Sequence, residues 1–211
     1  MIGTTPSVRS VNVSPVRTID VDGKPVTTGI LKTPATGRIA VRGVNLAGDD
    51  QADRTVHGGT DRALYAYATE DYAWWSERLG RALAPGTFGE NLTVAGVDVS
   101  GATIGERWRI GTALLQVTSM RVPCFKLARV MNDPGFIRTF AQALRPGAYL
   151  RIVEEGELAA GDPVAEVARP NHDLTIAEMT RLFLFDRPNV RRMLAAPELP
   201  DEWRAWANEH G

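Results

Sequence analysis

The chain has 211 residues, 44% hydrophobic and 23% charged, with a formal net charge of -1. These are ordinary globular values for a chain able to bury a sizeable core, and they provide no basic field for nucleic acid and no polybasic face for a membrane. No run approaches the roughly 20 apolar residues of a membrane span. The N-terminus lacks a signal-peptide core and the one cysteine forbids an internal disulfide, so the expected location is a reducing cytoplasm.

In chain order, residues 8–13 form a β-rich run, and 29–32, 38–41 and 63–68 are short apolar or alternating runs between turn residues. Thr69 ahead of Glu70 and Asp71 predicts a helix N-cap, with Tyr72, Trp75, Leu79 and Leu83 on one face and Pro85-Gly86 as the stop. Residues 113–122 make the longest strand candidate, ended by Pro123, which has no N–H to pair. A further helix opens near Pro134 and carries Phe136, Ile137, Phe140, Ala141 and Leu144 to Pro146-Gly147. Two turn-plus-strand units, 104–111 and 160–167, complete a pattern of many short strands that predicts a barrel or sandwich. Both helices read as packing elements over one end of it.

After Arg169-Pro170 the pattern changes, placing a boundary near residue 169. Thr175-Ile176-Ala177-Glu178 predicts a capping box opening a helix to about Leu184. A second helix is expected from Val190 to Ala196, and a third after Leu199 with Pro200 at its first position and Trp203 and Trp206 on one side. Helices this short must pack on one another or on the strands.

Four segments can carry chemistry. His57-Gly58-Gly59-Thr60-Asp61-Arg62 suits either an anion held by backbone N–H groups or a tight turn. Phe88-Gly89-Glu90-Asn91 reads as a buried turn with Asn91 bonded to backbone, or as a ligand contact. Lys32-Thr33-Pro34 offers a cation and a hydroxyl. Cys124, in Arg121-Val122-Pro123-Cys124-Phe125-Lys126, is either a buried filler or a thiolate favoured by nearby cations and by the helical spacing of Leu127, Ala128, Val130 and Met131 behind it. With one cysteine and His57, His172 and His210 scattered, no zinc cluster forms, and no nucleophile elbow, Walker loop or dinucleotide fingerprint is present.

Taken in order, Gly29-Ile30-Leu31-Lys32-Thr33-Pro34, Gly48-Asp49 with Gln51-Ala52-Asp53, His57 to Tyr65, Gly86 to Leu92, Ile104-Gly105 and Arg121 to Leu127 resemble the MOSC-domain family, and within it the YiiM-like branch. The resemblance covers residues 26–167, and the three carboxy-terminal helices resemble that branch's helical appendage. It implies a mainly β fold, a MOSC-type β-barrel over residues 1–168 and a three-helix domain over 169–211. It implies the molybdenum cofactor, a molybdopterin, with Cys124 as the molybdenum ligand and with Lys32, His57, Gly58, Gly59, Asp61, Arg62, Asn91 and Arg121 around it. Lys32, Arg62 and Arg121 are then candidates for the pterin phosphate, and His57 for a proton relay. Two departures are Glu106 where the family pattern leads one to expect Asp, and Ser119-Met120 where a Gln-Pro-like pair is expected.

The function so implied is reduction of N-hydroxylated compounds, such as hydroxylaminopurine bases, detoxifying base analogues. Electrons would come from an external redox protein, since no flavin, haem or iron–sulfur motif is present. The rival expectation is a molybdenum-cofactor or sulfur carrier with no reductase activity of its own.

Overall fold

The computed structural model describes residues 5–21, 23–52 and 58–211. The strands among them are β1 (Ser7–Val13), β2 (Arg17–Val21), β3 (Lys24–Thr28), β4 (Thr33–Pro34), β5 (Ile39–Arg42), β6 (Asn45–Leu46), β7 (Leu64–Ala68), β8 (Leu92–Ala95), β9 (Arg107–Ile110), β10 (Ala113–Met120), β11 (Ala148–Glu154), β12 (Gly156–Leu158) and β13 (Val164–Ala168). The α-helices are α1 (Thr69–Leu79), α2 (Phe125–Met131), α3 (Phe136–Ala143), α4 (Ile176–Phe185) and α5 (Asp201–His210).

Eight strands form one mixed sheet in the order β13-β9-β10-β11-β7-β8-β1-β4, flanked by a three-stranded sheet β12-β5-β6 and the hairpin β2-β3. Its one parallel pair, β7 with β8, is joined through α1, the crossover that parallel strands require. The large sheet curls until the start of β1 meets the start of β13 through a single bridge, Ser7 to Pro163. Backbone bonds from Val8 N to Asp162 O (2.9 Å) and from Gly161 N to Val8 O (2.8 Å) support that approach. The ladder nevertheless runs between two ends, β13 and β4, so among the described residues the closed barrel that the resemblance implied is not found.

All eight residues of β10 are buried, where alternation had suggested one covered face. The side away from the main core is covered as well, which is why Gln116, Thr118 and Ser119 are buried with their apolar neighbours. Residues 29–32 form a loop rather than a strand, and the nearby hairpin is built instead by β2 and β3.

Thr69 is the first residue of α1 and not its cap: Ala68 holds that position, while the Thr69 hydroxyl donates to Glu70 Oε2 at 3.1 Å. The helix ends at a left-handed Gly80 (φ 64°), before Leu83. Its face packs on β7 in an aromatic cluster of Tyr65, Tyr67, Tyr72, Trp75, Phe88, Phe136 and Phe140. Trp75 Nε1 donates to the Tyr67 hydroxyl at 2.8 Å, which donates to the Arg145 carbonyl at 2.8 Å, so the buried polar tips are satisfied.

Thr175 does cap α4, its hydroxyl accepting from Glu178 N at 3.1 Å, whereas the Glu178 carboxylate pairs with Arg181 (2.7 Å) and Arg192 (2.9 Å). The second carboxy-terminal helix is a 3-10 helix, Arg187–Ala195, and Pro200 sits one place earlier than expected, at the cap of α5. Leu174, Ile176, Met179, Leu182, Trp203 and Ala207 share one apolar cluster with Val99 and Ile104, so these helices bury their faces against the sheet's own core.

Candidate functional site

The cleft lies where the loops after β3, β6 and β10 meet the starts of β7 and β8. Strand β10 stays paired with β11 through Met120, opposite Ala148, and the chain then breaks at Val122-Pro123. That break sets Cys124 at the cap of α2 with extended backbone (φ -130°, ψ 169°), its carbonyl accepting from Leu127 N at 3.0 Å. The thiol is half-buried on the cleft wall, so Cys124 is not core filler. Around it stand Lys32, Arg62, Arg121 and Lys126 against two carboxylates, Asp49 and Asp50, in a cleft that is partly open to solvent.

Arg121 is buried, which is unusual for a guanidinium. It stacks over the Tyr65 ring, 5.2 Å from its centroid, and donates to the Phe88 carbonyl. Burial alone lowers its pKa, but Tyr65, Tyr149 and the Cys124 thiol outweigh that and raise it, so it remains a fixed positive charge beside the sulfur. Burial in turn pushes the Tyr65 and Tyr149 phenols up, against the pull of Arg121. Tyr65 donates its proton to the Pro146 carbonyl at 2.7 Å.

Lys32 meets Asp49 at 2.5 Å, and both side chains are nearly enclosed. Burial lowers the Lys32 pKa below 10.5, opposed by Asp49. Asp49 also accepts from Ser14 N at 2.8 Å and from Asn91 Nδ2 at 2.9 Å, so three segments converge on one carboxylate. Asn91 clasps strands as well: its Oδ1 accepts from Tyr65 N at 3.1 Å while its backbone joins Tyr65 and Asn12. This is the buried-turn reading of Asn91, and the side chain still reaches the cleft wall. Gly29 is required because a Cβ there would lie 2.4 Å from the Asp50 carbonyl, where the two loops touch.

Five of the residues singled out in the sequence, Lys32, Arg62, Asn91, Arg121 and Cys124, line this one cleft. Gly58, Gly59 and Asp61 do not. The Gly59 N–H donates to Gln51 Oε1 at 2.9 Å, and a Cβ at Gly58 would collide with the same side chain, so this turn packs on Gln51. Asp61 pairs with Arg151 at 2.6 Å. His57 lies outside the described residues. Arg62 is tied to Glu202 of α5 at 2.7 Å, linking the cleft to the last helix.

Sequence reasoning gave no role to Asp49, Tyr65 or Tyr149, whereas Lys126, named there only as a cation beside the thiol, also lines the cleft. Asp49 and Tyr65 stood inside matched motifs, but Tyr149 carried no local signal: only the pairing of β11 with β10 and β7 brings it here.

Behind the cleft, Glu90 is fully buried. Its Oε1 accepts from the Thr93 hydroxyl (2.6 Å), the Tyr72 hydroxyl (2.7 Å) and Gly86 N (2.7 Å), while Oε2 has no partner. Burial raises its pKa above 4.5 despite those donors. The native state therefore holds this proton to higher pH than the unfolded chain, so stability falls as pH rises from 4.5 through the native value. The loss is about 1.4 kcal/mol for each unit of elevation. Glu90→Gln is expected to flatten that slope, checked by urea melts of both proteins between pH 4 and 8.

Among the described residues no group of three or more His, Cys, Asp and Glu side chains could hold a metal ion. The cleft offers instead one soft sulfur donor and an excess of cations. That donor set fits an anionic metal group that brings most of its own ligands, better than a bare divalent ion.

Residues 53–165 match the MOSC domain model. The chain is 36% identical to the uncharacterized protein YflK of Bacillus subtilis over 94% of this chain and 91% of that protein. It is 32% identical to YiiM of Escherichia coli, over 86% of this chain and 83% of that one. The crystal structure of YiiM from Geobacillus stearothermophilus superimposes with a TM-score of 0.80 at 30% identity, covering 97% of this chain and 98% of the other.

Proposed function

We propose, because this chain belongs to the MOSC domain family and is YiiM-like within it, that its cleft holds a molybdenum pterin cofactor and that the protein reduces N–O bonds. The observation that carries this reading is the half-buried Cys124 thiol facing a cleft whose other charges are mainly cationic. When bound, the cofactor would supply two-electron reduction at a metal that accepts a soft thiolate.

The chain's own part is to bind and orient. Cys124 would provide the protein ligand, and Arg121, fixed beside it, would stabilise the negative charge of that sulfur. Lys32 and Arg62 would hold the pterin phosphate, with Asn91 and Asp49 keeping the Lys32 ammonium in place. Gly58, Gly59 and Asp61 would act from behind, by fixing the turn that leads into Arg62. His57 is the candidate for protonating the departing oxygen. The substrate class is N-hydroxylated compounds, with hydroxylaminopurine bases the proposed members, and the overall change is R–NHOH plus two electrons and two protons to R–NH2 plus water. This reading includes a two-unit chain, 1–168 and 169–211, a barrel-like sheet and a cytoplasmic setting. Among the described residues, no helix is long and apolar enough to cross a membrane.

The test is turnover of 6-hydroxylaminopurine by cofactor-loaded protein with dithionite-reduced viologen as donor. Adenine formation with one substrate consumed per two electrons supports the reductase. A fully loaded protein with no turnover leaves the carrier reading instead.

A further inference from the structure

Four of the large exposed apolar side chains adjoin, in the chain, residues that line the cleft or the groove beside it. Leu31, Val122, Phe125, Val153, Val167 and Phe185 are the large exposed hydrophobics among the described residues. Leu31 lies between the cleft residues Ile30 and Lys32, and Val122 and Phe125 lie on either side of Cys124 in the chain. Phe125, the first residue of α2, is 50% exposed. Beyond Val122 runs a shallow groove walled by Pro123, Pro134, Ile137, Ala141 and Leu184, with exposed Phe185 next in the chain. Isolated exposed hydrophobics are ordinary, but a cluster at the mouth of a site marks a contact surface.

Along residues 121–138, which carry Val122 and Phe125, the charge is mainly positive. Arg129 and Arg138 are exposed, Lys126 is half-buried, and the one carboxylate in residues 121–138 is Asp133, which accepts from Gly135 N at 2.8 Å. A cationic, apolar rim on a chain of net charge -1 is complementary to an acidic surface. It opposes a symmetric contact with a second copy, in which the same arginines would face each other.

We propose that this rim is the docking surface for a reduced protein donor: a small acidic flavoprotein that presents apolar contacts around its flavin edge. The inference rests on the reductase reading, since that reaction consumes two electrons and two protons per N–O bond. A flavin hydroquinone supplies both in becoming the quinone. The chain has a single cysteine and no iron–sulfur motif, so the donor must bring its flavin to the wall that carries Cys124. A contact confined to this rim belongs with transient redox encounters, which bury less than about 1,200 Å².

Reduced flavodoxin is the probe, with Phe125→Ser and Arg138→Glu as variants at exposed positions off the cleft wall. Calorimetry is expected to show flavodoxin binding to the holoprotein that weakens as salt is raised, with each variant raising Kd by about tenfold. Viologen-driven turnover should stay within about twofold of wild type in both variants, and flavodoxin-driven turnover should fall with the binding. Unchanged binding in the variants, absent or salt-insensitive binding in the wild type, or loss of viologen turnover in Phe125→Ser would each overturn the surface. A wild-type dimer dissolved by Phe125→Ser would also overturn it, by giving the rim to a second copy. Absence of viologen turnover in the wild type sinks the reductase reading alone, because flavodoxin binding still judges the surface.

Discussion

Replacing Cys124 with alanine is expected to abolish molybdenum retention and lower N–O reduction by about a hundredfold or more, with little change in stability. The two effects separate because of where the residue sits. Cys124 is half-buried at the cap of α2, and its contribution to the helix is a backbone carbonyl, which alanine retains. A fully buried thiol would leave a cavity and cost about 1 kcal/mol or more. At a cleft wall there is little packing to lose. Metal and pterin content per chain, measured beside a thermal melt, checks both halves. A variant that keeps its metal ends the ligand assignment, and a variant that melts far below wild type returns Cys124 to the core.

Replacing Asp49 with alanine is expected to cost about 3 kcal/mol at neutral pH, because it leaves the Lys32 ammonium enclosed without its partner. The sign of the pH dependence follows from the direction of the Lys32 shift. Burial holds its native pKa below 10.5, and Asp49 opposes that fall. Between the native value and 10.5 the unfolded chain binds more protons, so stability rises with pH. Without Asp49 the native value drops further, and the rise should begin at lower pH than in the wild type. Denaturant melts from pH 7 to 10 are expected to show the Asp49→Ala deficit shrinking. Adding Lys32→Met should recover the part due to the lone cation, leaving the part due to Ser14 N and Asn91 Nδ2. A deficit below about 1 kcal/mol that ignores pH would contradict this account.

The elements that were legible in the sequence are those whose signals are local. Pro123 cannot pair, so β10 had to end before it. Thr175 in front of an apolar run caps α4 through a bond to a residue three places on. The Cys124 carbonyl and the two following N–H groups that it accepts from lie within four residues. Thr69 shows the limit of this logic: it has the right identity for a cap, but Ala68 takes the extended conformation and Thr69 enters the helix.

What the sequence by itself determined is the kind of chemistry available: one thiol, flanked by Arg121 and Lys126, in a chain without the residues for a zinc cluster or a second redox centre. What only the tertiary structure decided is which groups face that thiol. Tyr149 and Lys32 arrive from positions far from Cys124 in the chain, and Asp61 and the Gly58-Gly59 turn, promising as a motif, pack outside the cleft wall. The closure of the sheet was undecided for the same reason: alternation fixes which face of a strand is apolar, while the ladder ends at β13 and β4 through pairings between distant strands. Side-chain periodicity is written within each segment, but register and neighbours are set by the packing of segments against one another, and the site is made of neighbours.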